Sequence, residues 1–145
     1  MPEQHYRGDV TPKEAWAELV ASKEAVLVDV RTLAEWSFVG VPSLDSIGKT
    51  PILIEWQTFP DGQTARDFAS ALDAEMTARG AGKEAPIFFL CRSGARSQAA
   101  AIVATQAGYL NCFNIGFGFE GPLDESRHRN TLDGWRAVGL PWAQT

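Results

Sequence analysis

The sequence contains few of the side chains that bind metal ions or form disulfide bonds. Its 145 residues include two cysteines, Cys91 and Cys112, and two histidines, His5 and His128. Two cysteines allow at most one internal disulfide bond, which excludes the disulfide-stapled scaffold of a small secreted protein. The four side chains form no CxxC or HxxxH pair, so we predict that the protein has no metal site.

Basic residues and long apolar runs are also scarce. The chain has 13 Lys and Arg residues against 18 Asp and Glu residues, a net charge of -5, which argues against general affinity for a nucleic-acid backbone. No apolar stretch approaches the roughly 20 residues of a membrane-spanning helix. The first residues lack a basic start followed by an apolar run, the pattern of a signal peptide. We therefore expect a cytoplasmic protein with neither a membrane nor a nucleic acid as partner.

What the sequence does contain is typical of one α/β domain, to which we assign residues 1–145. Apolar residues make up 45% and charged residues 21%, the balance of an ordinary globular chain. Short apolar runs alternate with helical patterns, which indicates a largely parallel sheet. The predicted helices cover residues 12–21, 32–39, 64–79 and 97–107, with a last helical turn at 133–138, and the predicted strands cover 25–30, 51–56, 86–90 and 111–115.

Cys91 stands where a parallel sheet places its ligands. It follows the most apolar predicted strand, and the carboxyl ends of parallel strands face the crevice in which ligands bind. The polar segment Arg92–Arg96 and a helix come next, so loop N–H groups, the helix dipole and two guanidinium groups favour the thiolate over the thiol. Gly94 permits the positive φ that such a turn requires. We interpret Cys91 as a nucleophile rather than as a buried apolar residue, the usual role of a free cysteine.

The motif CRSGARS, residues 91–97, resembles the active loop of the single-domain rhodaneses, or thiosulfate sulfurtransferase-like proteins. In that family a cysteine opens the six-residue loop and a basic residue closes it, here Cys91 and Arg96, and Ser97 opens the following helix. The resemblance extends to LVDVR at 27–31, Glu35 and Trp36, the segment from Gly108 to Asn114, and WRAVGLP at 135–141. It implies a rhodanese-like five-stranded parallel sheet flanked by helices on both faces.

Two segments depart from the family pattern. The family usually has Gly-His-Ile-Pro-Gly-Ala after the upstream motif, whereas residues 39–44 here read VGVPSL, without the histidine. That histidine is not the nucleophile, so its loss concerns local packing more than catalysis. Thirteen inserted residues, 122–134, separate the glycine turn at 116–121 from the tryptophan, here Trp135. We interpret the insertion as a solvated surface loop, with a lid that carries Arg-His-Arg at 127–129 to the cysteine pocket as the alternative.

The resemblance implies a ping-pong sulfur transfer. The Cys91 thiolate attacks the outer sulfur of thiosulfate or another sulfane donor and holds that sulfur as a persulfide until cyanide or an acceptor thiol removes it. The expected partners are therefore a small sulfur donor and a thiol or cyanide acceptor, which can be a sulfur-carrier protein. No cofactor is expected beyond the covalent persulfide. The residues expected to bind the substrate are Arg92, Ser93, Gly94, Ala95, Arg96 and Ser97.

Individual roles follow from the same resemblance. Arg92 and Arg96 are expected to neutralise a dianionic donor, with Arg96 the better oriented of the two. We interpret Asp29 and Arg31 as a structural charged pair that fixes loop positions at the active end of the sheet, which Glu35 can join.

Cys112 lies within the last predicted strand, away from any activating residue. We predict that its sulfur is buried and inert. The alternative is a resolving cysteine that attacks an oxidised Cys91.

Two other functions stay open at the level of the sequence. Cysteine-dependent phosphatases and arsenate reductases also use a loop that leads into a helix, but their arginine is the sixth residue after the cysteine, where this chain has Ser97. A loop that is one residue shorter favours a single sulfur atom over a phosphoryl group. The other alternative is a noncatalytic interaction module of the same fold, against which the intact Cys91 argues.

Overall fold

The computed structural model describes residues 6–56 and 65–144. Seven strands occur in these residues: β1 Gly8–Val10, β2 Val26–Asp29, β3 Val41–Pro42, β4 Ile52–Leu53, β5 Ile87–Leu90, β6 Cys112–Ile115 and β7 Trp142–Ala143. The helices are α1 Pro12–Ala21, α2 Leu33–Phe38, α3 Ala65–Ala78 and α4 Ala95–Gln106, with a 3₁₀ turn at Asp45–Ile47. Five strands form one sheet in the order β1-β6-β5-β2-β4, in which all neighbours are parallel. The strands β3 and β7 form a separate antiparallel pair.

The two faces of the sheet are both covered, as an apolar parallel sheet requires. On one face, Phe68 and Leu72 of α3 and alanines of α4 pack against Val28 and Phe89 of the sheet. On the other face, the core joins α1, alternate residues of β2 and β5, and the segment after β6. Its members include Leu19, Leu27, Phe88, Leu90, Phe119 and Trp135. This arrangement confirms the predicted five-stranded parallel sheet with helices on both faces.

Two helices begin with the same capping box. In α1 the Thr11 hydroxyl accepts the N–H of Glu14 at 3.1 Å, and Glu14 Oε1 accepts the N–H of Thr11 at 2.8 Å. In α2 the same reciprocal bonds join Thr32 and Glu35, at 3.2 and 3.0 Å. A capping threonine contributes about 1 kcal/mol to helix stability. The box therefore fixes where α2 begins, and with it the position of the Glu35 carboxylate.

The strands β1, β3 and β7 are absent from the sequence prediction, and the bounds of other elements differ. The strand β1 pairs only with β6 and is too short to show an alternating pattern. The predicted strand at 51–56 shortens to β4, and the helix predicted over 64–79 starts outside the described residues. Residues 133–138 contain one helical turn, closed by the hydrogen bond from the Val138 N–H to the Gly134 carbonyl at 3.1 Å, and it does not extend into a regular helix. The N–H groups of Trp135 and Arg136 donate to the carbonyls of Gly118 and Phe119, at 2.8 and 3.2 Å.

Candidate active site

Cys91 lies at the carboxyl edge of the sheet, directly after β5. Its side chain is buried, and Sγ accepts hydrogen bonds from the backbone N–H of Gly94 at 3.1 Å and from the hydroxyl of Ser97 at 3.2 Å. Both donors belong to the segment that follows the cysteine and folds back over it. Donors aimed at a sulfur stabilise an anionic sulfur more than a neutral thiol.

The helix α4 begins closer to the cysteine than the sequence indicated. Gly94 is its N-cap with φ of 118°, a conformation that favours glycine, and Ala95 is the first helical residue. The expectation that Ser97 opens the helix is therefore wrong by two residues. Ala95 and Arg96 lie in the first turn, so the positive end of the helix dipole is close to the sulfur. Ser93 is exposed in the short loop before the helix.

The carbonyl groups of the cysteine loop are held by the glycine turn that follows β6. The carbonyl of Cys91 accepts the N–H of Phe119 at 2.8 Å, and that of Arg92 accepts the N–H groups of Glu120 and Gly121, at 3.0 and 3.3 Å. Because a trans peptide is planar, its N–H points opposite to its C=O. The N–H groups of residues 92 and 93 therefore point away from the glycine turn and are free to face a ligand.

Gly118 makes this close contact possible. A Cβ placed there would lie 2.5 Å from the carbonyl oxygens of both Cys91 and Arg92, and the residue adopts φ of +63°. Only glycine fits without displacing one of the two backbones. The glycine turn thus fixes the direction in which the cysteine loop presents its donors.

Ser97 connects the sulfur to the edge strand β1. Besides Cys91 Sγ, its hydroxyl is 2.5 Å from Asn114 Oδ1 and 3.2 Å from the carbonyl of Gly94. The Asn114 amide in turn donates to Asp9 Oδ1 at 3.0 Å, which directs its oxygen towards Ser97. A hydroxyl has one proton, so Ser97 donates to one of these three acceptors at a time.

Asn114 and Asp9 are site residues that sequence reasoning missed. Asn114 is buried in the middle of β6 between apolar neighbours. A polar side chain inside the apolar run NCFNI was the available signal, since buried amides are almost always hydrogen-bonded. Asp9 gave no such signal, because only the pairing of β1 with β6 brings it to Asn114.

Arg96 is bound by a carboxylate. Its Nη1 and Nη2 donate to the two carboxylate oxygens of Glu35, at 2.8 and 2.9 Å. Burial alone would raise the pKa of Glu35, but the hydrogen bonds from Arg96 and Thr32 lower it to about 2. The hydrogen bond to Glu35 raises the pKa of Arg96, burial opposes it, and the charges of Glu35 and Cys91 add to the increase. Arg96 is therefore paired with Glu35, and the expectation that it neutralises a dianionic donor stays a prediction. The bidentate pair also shows that Glu35 joins Arg96 and not the Asp29–Arg31 pair.

Asp29 and Arg31 form a fully buried ion pair at the end of β2. Arg31 Nη2 lies 2.7 Å from Asp29 Oδ2, and Nε lies 3.0 and 3.1 Å from the two carboxylate oxygens. Nη2 also donates to the carbonyl of Gly40 at 2.7 Å, and the guanidinium lies over the Phe119 ring at 4.1 Å. The pair therefore connects β2 to the segment after α2 and to the glycine turn that holds the cysteine loop.

The insertion at 122–134 is a surface loop attached beside the cysteine loop. The carboxylate of Asp124 accepts two backbone N–H groups of the loop, both at 2.8 Å. Arg129 Nη1 donates to the carbonyl of Gly121 at 2.7 Å. Residues 127 and 128 are exposed, and neither side chain hydrogen-bonds to the cysteine loop within the part of the chain that the structure describes. A lid function stays a prediction.

Cys112 is buried at the start of β6, remote in sequence from the loop, and both cysteines are free thiols. Among residues 6–56 and 65–144, no group of three or more His, Cys, Asp or Glu side chains could hold a metal ion; His5 lies outside them. No helix in those residues is long and apolar enough to cross a membrane.

Comparison with known proteins agrees with this geometry. The sequence matches the family model of the rhodanese-like domain over residues 11–123. It is 40% identical over 134 residues to the uncharacterized protein RC0915 of Rickettsia conorii, with 92% of this chain and 95% of that protein covered. The crystal structure of Rv0390 from M. tuberculosis superposes with a TM-score of 0.83 and 49% sequence identity, covering 97% of this chain and 99% of that chain.

A more distant relative has an activity in its name. The thiosulfate sulfurtransferase GlpE of Actinobacillus succinogenes is 24% identical over 133 residues, which are 92% of this chain and 87% of that protein. The extent of the family match, together with the parallel sheet and the cysteine loop at its carboxyl edge, shows that the chain belongs to the family of rhodanese-like domains.

Proposed function

We propose that the protein is a sulfurtransferase that carries a sulfane sulfur on Cys91. The observation that supports this most directly is the pair of donors, Gly94 N–H and Ser97 Oγ, at 3.1 and 3.2 Å from Cys91 Sγ. Both donate towards the sulfur and so favour its anionic, nucleophilic form over the thiol. The thiosulfate sulfurtransferase relative supports the same activity.

The transfer has two steps. The Cys91 thiolate attacks the outer sulfur of thiosulfate, a new S–S bond forms to Cys91, and the bonding electrons of the donor leave with sulfite. A hydropersulfide donor R–S–SH reacts alike, with R–SH as the leaving product and the persulfide anion on Cys91. A thiol or cyanide then removes the outer sulfur and restores the thiolate. The chemistry resides in the sulfur atoms, so the proposal includes no cofactor and no metal.

The remaining parts of the proposal concern residues and setting. We place the N–H groups of the loop 92–97 around the transferred sulfur, and Asp29 with Arg31 as support for the loop. A sulfur-carrier protein fits as an acceptor, because Arg92 and Ser93 are exposed at the loop. We propose that the protein acts in the cytoplasm.

The test is the mass of the protein after thiosulfate treatment. We expect the mass of one sulfur atom to be added to the peptide that contains Cys91, and dithiothreitol or cyanide to remove it. A Cys91→Ser variant serves as the control and should gain no sulfur.

Two results would contradict the proposal. An unmodified Cys91 combined with hydrolysis of an aryl phosphate would indicate a phosphatase. An unmodified Cys91 combined with partner binding that survives Cys91→Ser would indicate an interaction module.

A further inference from the structure

The positive charges nearest the cysteine loop are largely cancelled by partners. The Glu35–Arg96 pair is bidentate, and its side chains are 19% and 22% exposed, so solvent screens it only in part. With its pKa lowered to about 2, Glu35 is ionised throughout the neutral range, so the pair has no net charge there. The Asp29–Arg31 pair is neutral in the same way and fully buried.

Arg92 is the loop's remaining cation, and it lies in water. Its side chain is exposed, and the guanidinium makes no hydrogen bond or ion pair with the other described residues. A charge on the surface is screened by solvent and salt and contributes little to the binding of an anion. The loop therefore offers a doubly charged donor much less positive charge than its two arginines suggest.

Apolar side chains are exposed beside the same loop. Phe38, 81% exposed, is three residues after Glu35 on α2, so the two side chains are neighbours on the helix surface. Phe117 is 43% exposed, and its backbone N lies 3.7 Å from the Cβ position of Gly94. Phe117 also has φ of 67°, an unusual backbone conformation for a bulky residue that concentrates near functional sites. Large exposed apolar residues of this kind suit an organic substituent better than an inorganic dianion.

We propose that Glu35 is a specificity-determining residue that masks Arg96, and that the physiological donor is an organic hydropersulfide rather than thiosulfate. The proposal rests on the proposed sulfur transfer. In the donor step the Cys91 thiolate bonds to the outer sulfur of R–S–SH, the S–S bond of the donor breaks, and R–S⁻ takes up the proton. The products are the Cys91 persulfide anion and R–SH. The Glu35 carboxylate cancels the attraction of Arg96 for an anionic donor. The loss is larger for a dianionic donor than for a hydropersulfide, which carries at most one negative charge.

The test measures how fast each of two donors forms the persulfide on Cys91. The donors are thiosulfate and benzyl hydropersulfide, and the readout is the second-order rate constant of sulfur addition, followed by mass in single turnovers. Glu35→Gln removes the negative charge but retains an amide oxygen for the capping box with Thr32. We expect a rate increase with thiosulfate of about tenfold, from the loss of one charge near a dianion. The rate with benzyl hydropersulfide should increase by no more than about threefold, because that donor carries at most one negative charge instead of two.

Two further variants make the experiment decisive. Glu14→Gln changes the matching residue of the α1 capping box, which has no arginine partner, and should alter neither rate. The double variant Glu35→Gln with Arg96→Gln leaves no arginine to unmask, so the rate increase that Glu35→Gln gives with thiosulfate should be lost.

Several outcomes would overturn the inference. If Arg96 binds thiosulfate directly, the double variant loses most of its activity with thiosulfate alone. If Glu35→Gln lowers the rate with thiosulfate, or changes both rates equally, Glu35 does not select the donor. A wild-type protein that forms no persulfide with either donor would instead contradict the proposed sulfur transfer itself, so the two failures are distinguishable.

Discussion

The two cysteines of this chain have similar burial but opposite positions in the sheet. Both side chains are inaccessible, at 1% and 0% exposure. Cys91 follows the last residue of β5, whereas Cys112 is the first residue of β6. In a parallel sheet these positions lie at opposite edges, so the two sulfurs face opposite ends of α4.

The two ends of α4 present different groups to the two sulfurs. Near Cys91, the start of α4 supplies an N–H and the Ser97 hydroxyl. Near Cys112, the region after α4 supplies a carbonyl, that of Tyr109, to which the thiol donates at 3.7 Å. Burial raises the pKa of Cys112 to about 11, and a hydrogen bond with Thr105 opposes this only in part. Burial alone therefore produces an inert thiol, and donors aimed at the sulfur are needed for a reactive one.

The largest expected difference between the two cysteines appears when each is substituted in turn. Cys91→Ser should lower the rate of sulfur transfer at least about a thousandfold, because the nucleophile is lost. Cys112→Ala should leave the rate within about threefold, since that sulfur lies at the opposite edge of the sheet from Cys91 and takes no part in the proposed steps. Both rates are measured with thiosulfate and cyanide. A Cys112→Ala rate as low as that of Cys91→Ser would mean that Cys112 takes part in the reaction.

The cysteine loop should depend strongly on the glycine turn that packs against it, so a substitution in that turn should have a larger effect than the same substitution at a remote turn. Gly118→Ala places a methyl group 2.5 Å from two loop carbonyls at φ of +63°. We expect a loss of about 3 kcal/mol or more in the free energy of unfolding and a large fall in sulfur transfer. Gly80→Ala is the matched control, with φ of +70° and nothing within 4 Å. It should cost about 1 kcal/mol and leave the rate unchanged. Equal losses from the two variants, measured by urea unfolding, would contradict the backing role of the glycine turn.

Cys112 should affect stability at alkaline pH. Its pKa is raised in the folded protein from 9.0 to about 11, so the folded state holds the proton more tightly than the unfolded state. The resulting stabilisation is complete below pH 9.0 and is lost as the pH rises through about 11. At its upper limit it amounts to about 2 to 3 kcal/mol.

The comparison of the wild type with Cys112→Ala measures this contribution. The difference in unfolding free energy between the two proteins should shrink as the pH rises from 8 to 11, because other groups titrate in both. A constant difference over that range would show that burial does not control the Cys112 thiol.

The main fold and the proposed nucleophile could be predicted from the sequence because both depend on patterns within a few neighbouring residues. The apolar run 86–90, the glycine and the helix after Cys91 are contiguous, and the start of α1 was predicted to the residue from Thr11, Pro12 and Glu14. Propensity, capping and periodicity act over a few residues, so one sequence suffices to predict them.

The contacts that position the residues around Cys91 could not be predicted from such local patterns. Glu35 reaches Arg96 across 61 positions, and Asp9 reaches Asn114 across 105. Both contacts depend on strand order, which a single sequence does not encode locally. The sequence therefore does not reveal that Arg96, which is expected to neutralise a dianionic donor, is paired with a carboxylate from another element.

The smallest expected effect comes from the hydroxyl next to each cysteine, which is that of Ser97 for Cys91 and that of Thr105 for Cys112. The single proton of the Ser97 hydroxyl is shared between the Cys91 sulfur, 3.2 Å away, and Asn114 Oδ1, 2.5 Å away. A hydrogen bond to an anion contributes about 1.5 to 3 kcal/mol, and the bond given up to Asn114 offsets about 1 kcal/mol of this. Ser97→Ala should therefore slow alkylation of Cys91 by iodoacetamide at neutral pH by roughly twofold to thirtyfold, which corresponds to the remaining energy of about 0.5 to 2 kcal/mol. Thr105→Val, the matched change beside Cys112, should not alter that rate.

A substitution of Asn114 should change the alkylation rate of Cys91 in the opposite direction, which tests whether the Ser97 proton is shared. Asn114→Ala removes the competing acceptor, which leaves the Ser97 hydroxyl free to donate to the sulfur. We expect alkylation of Cys91 to become faster, whereas a variant that only loosened the fold would also expose Cys112 to the reagent. Slower alkylation of Cys91 in both Ser97→Ala and Asn114→Ala, with Cys112 still protected, would show that Asn114 orients Ser97 towards the sulfur instead of competing for its proton.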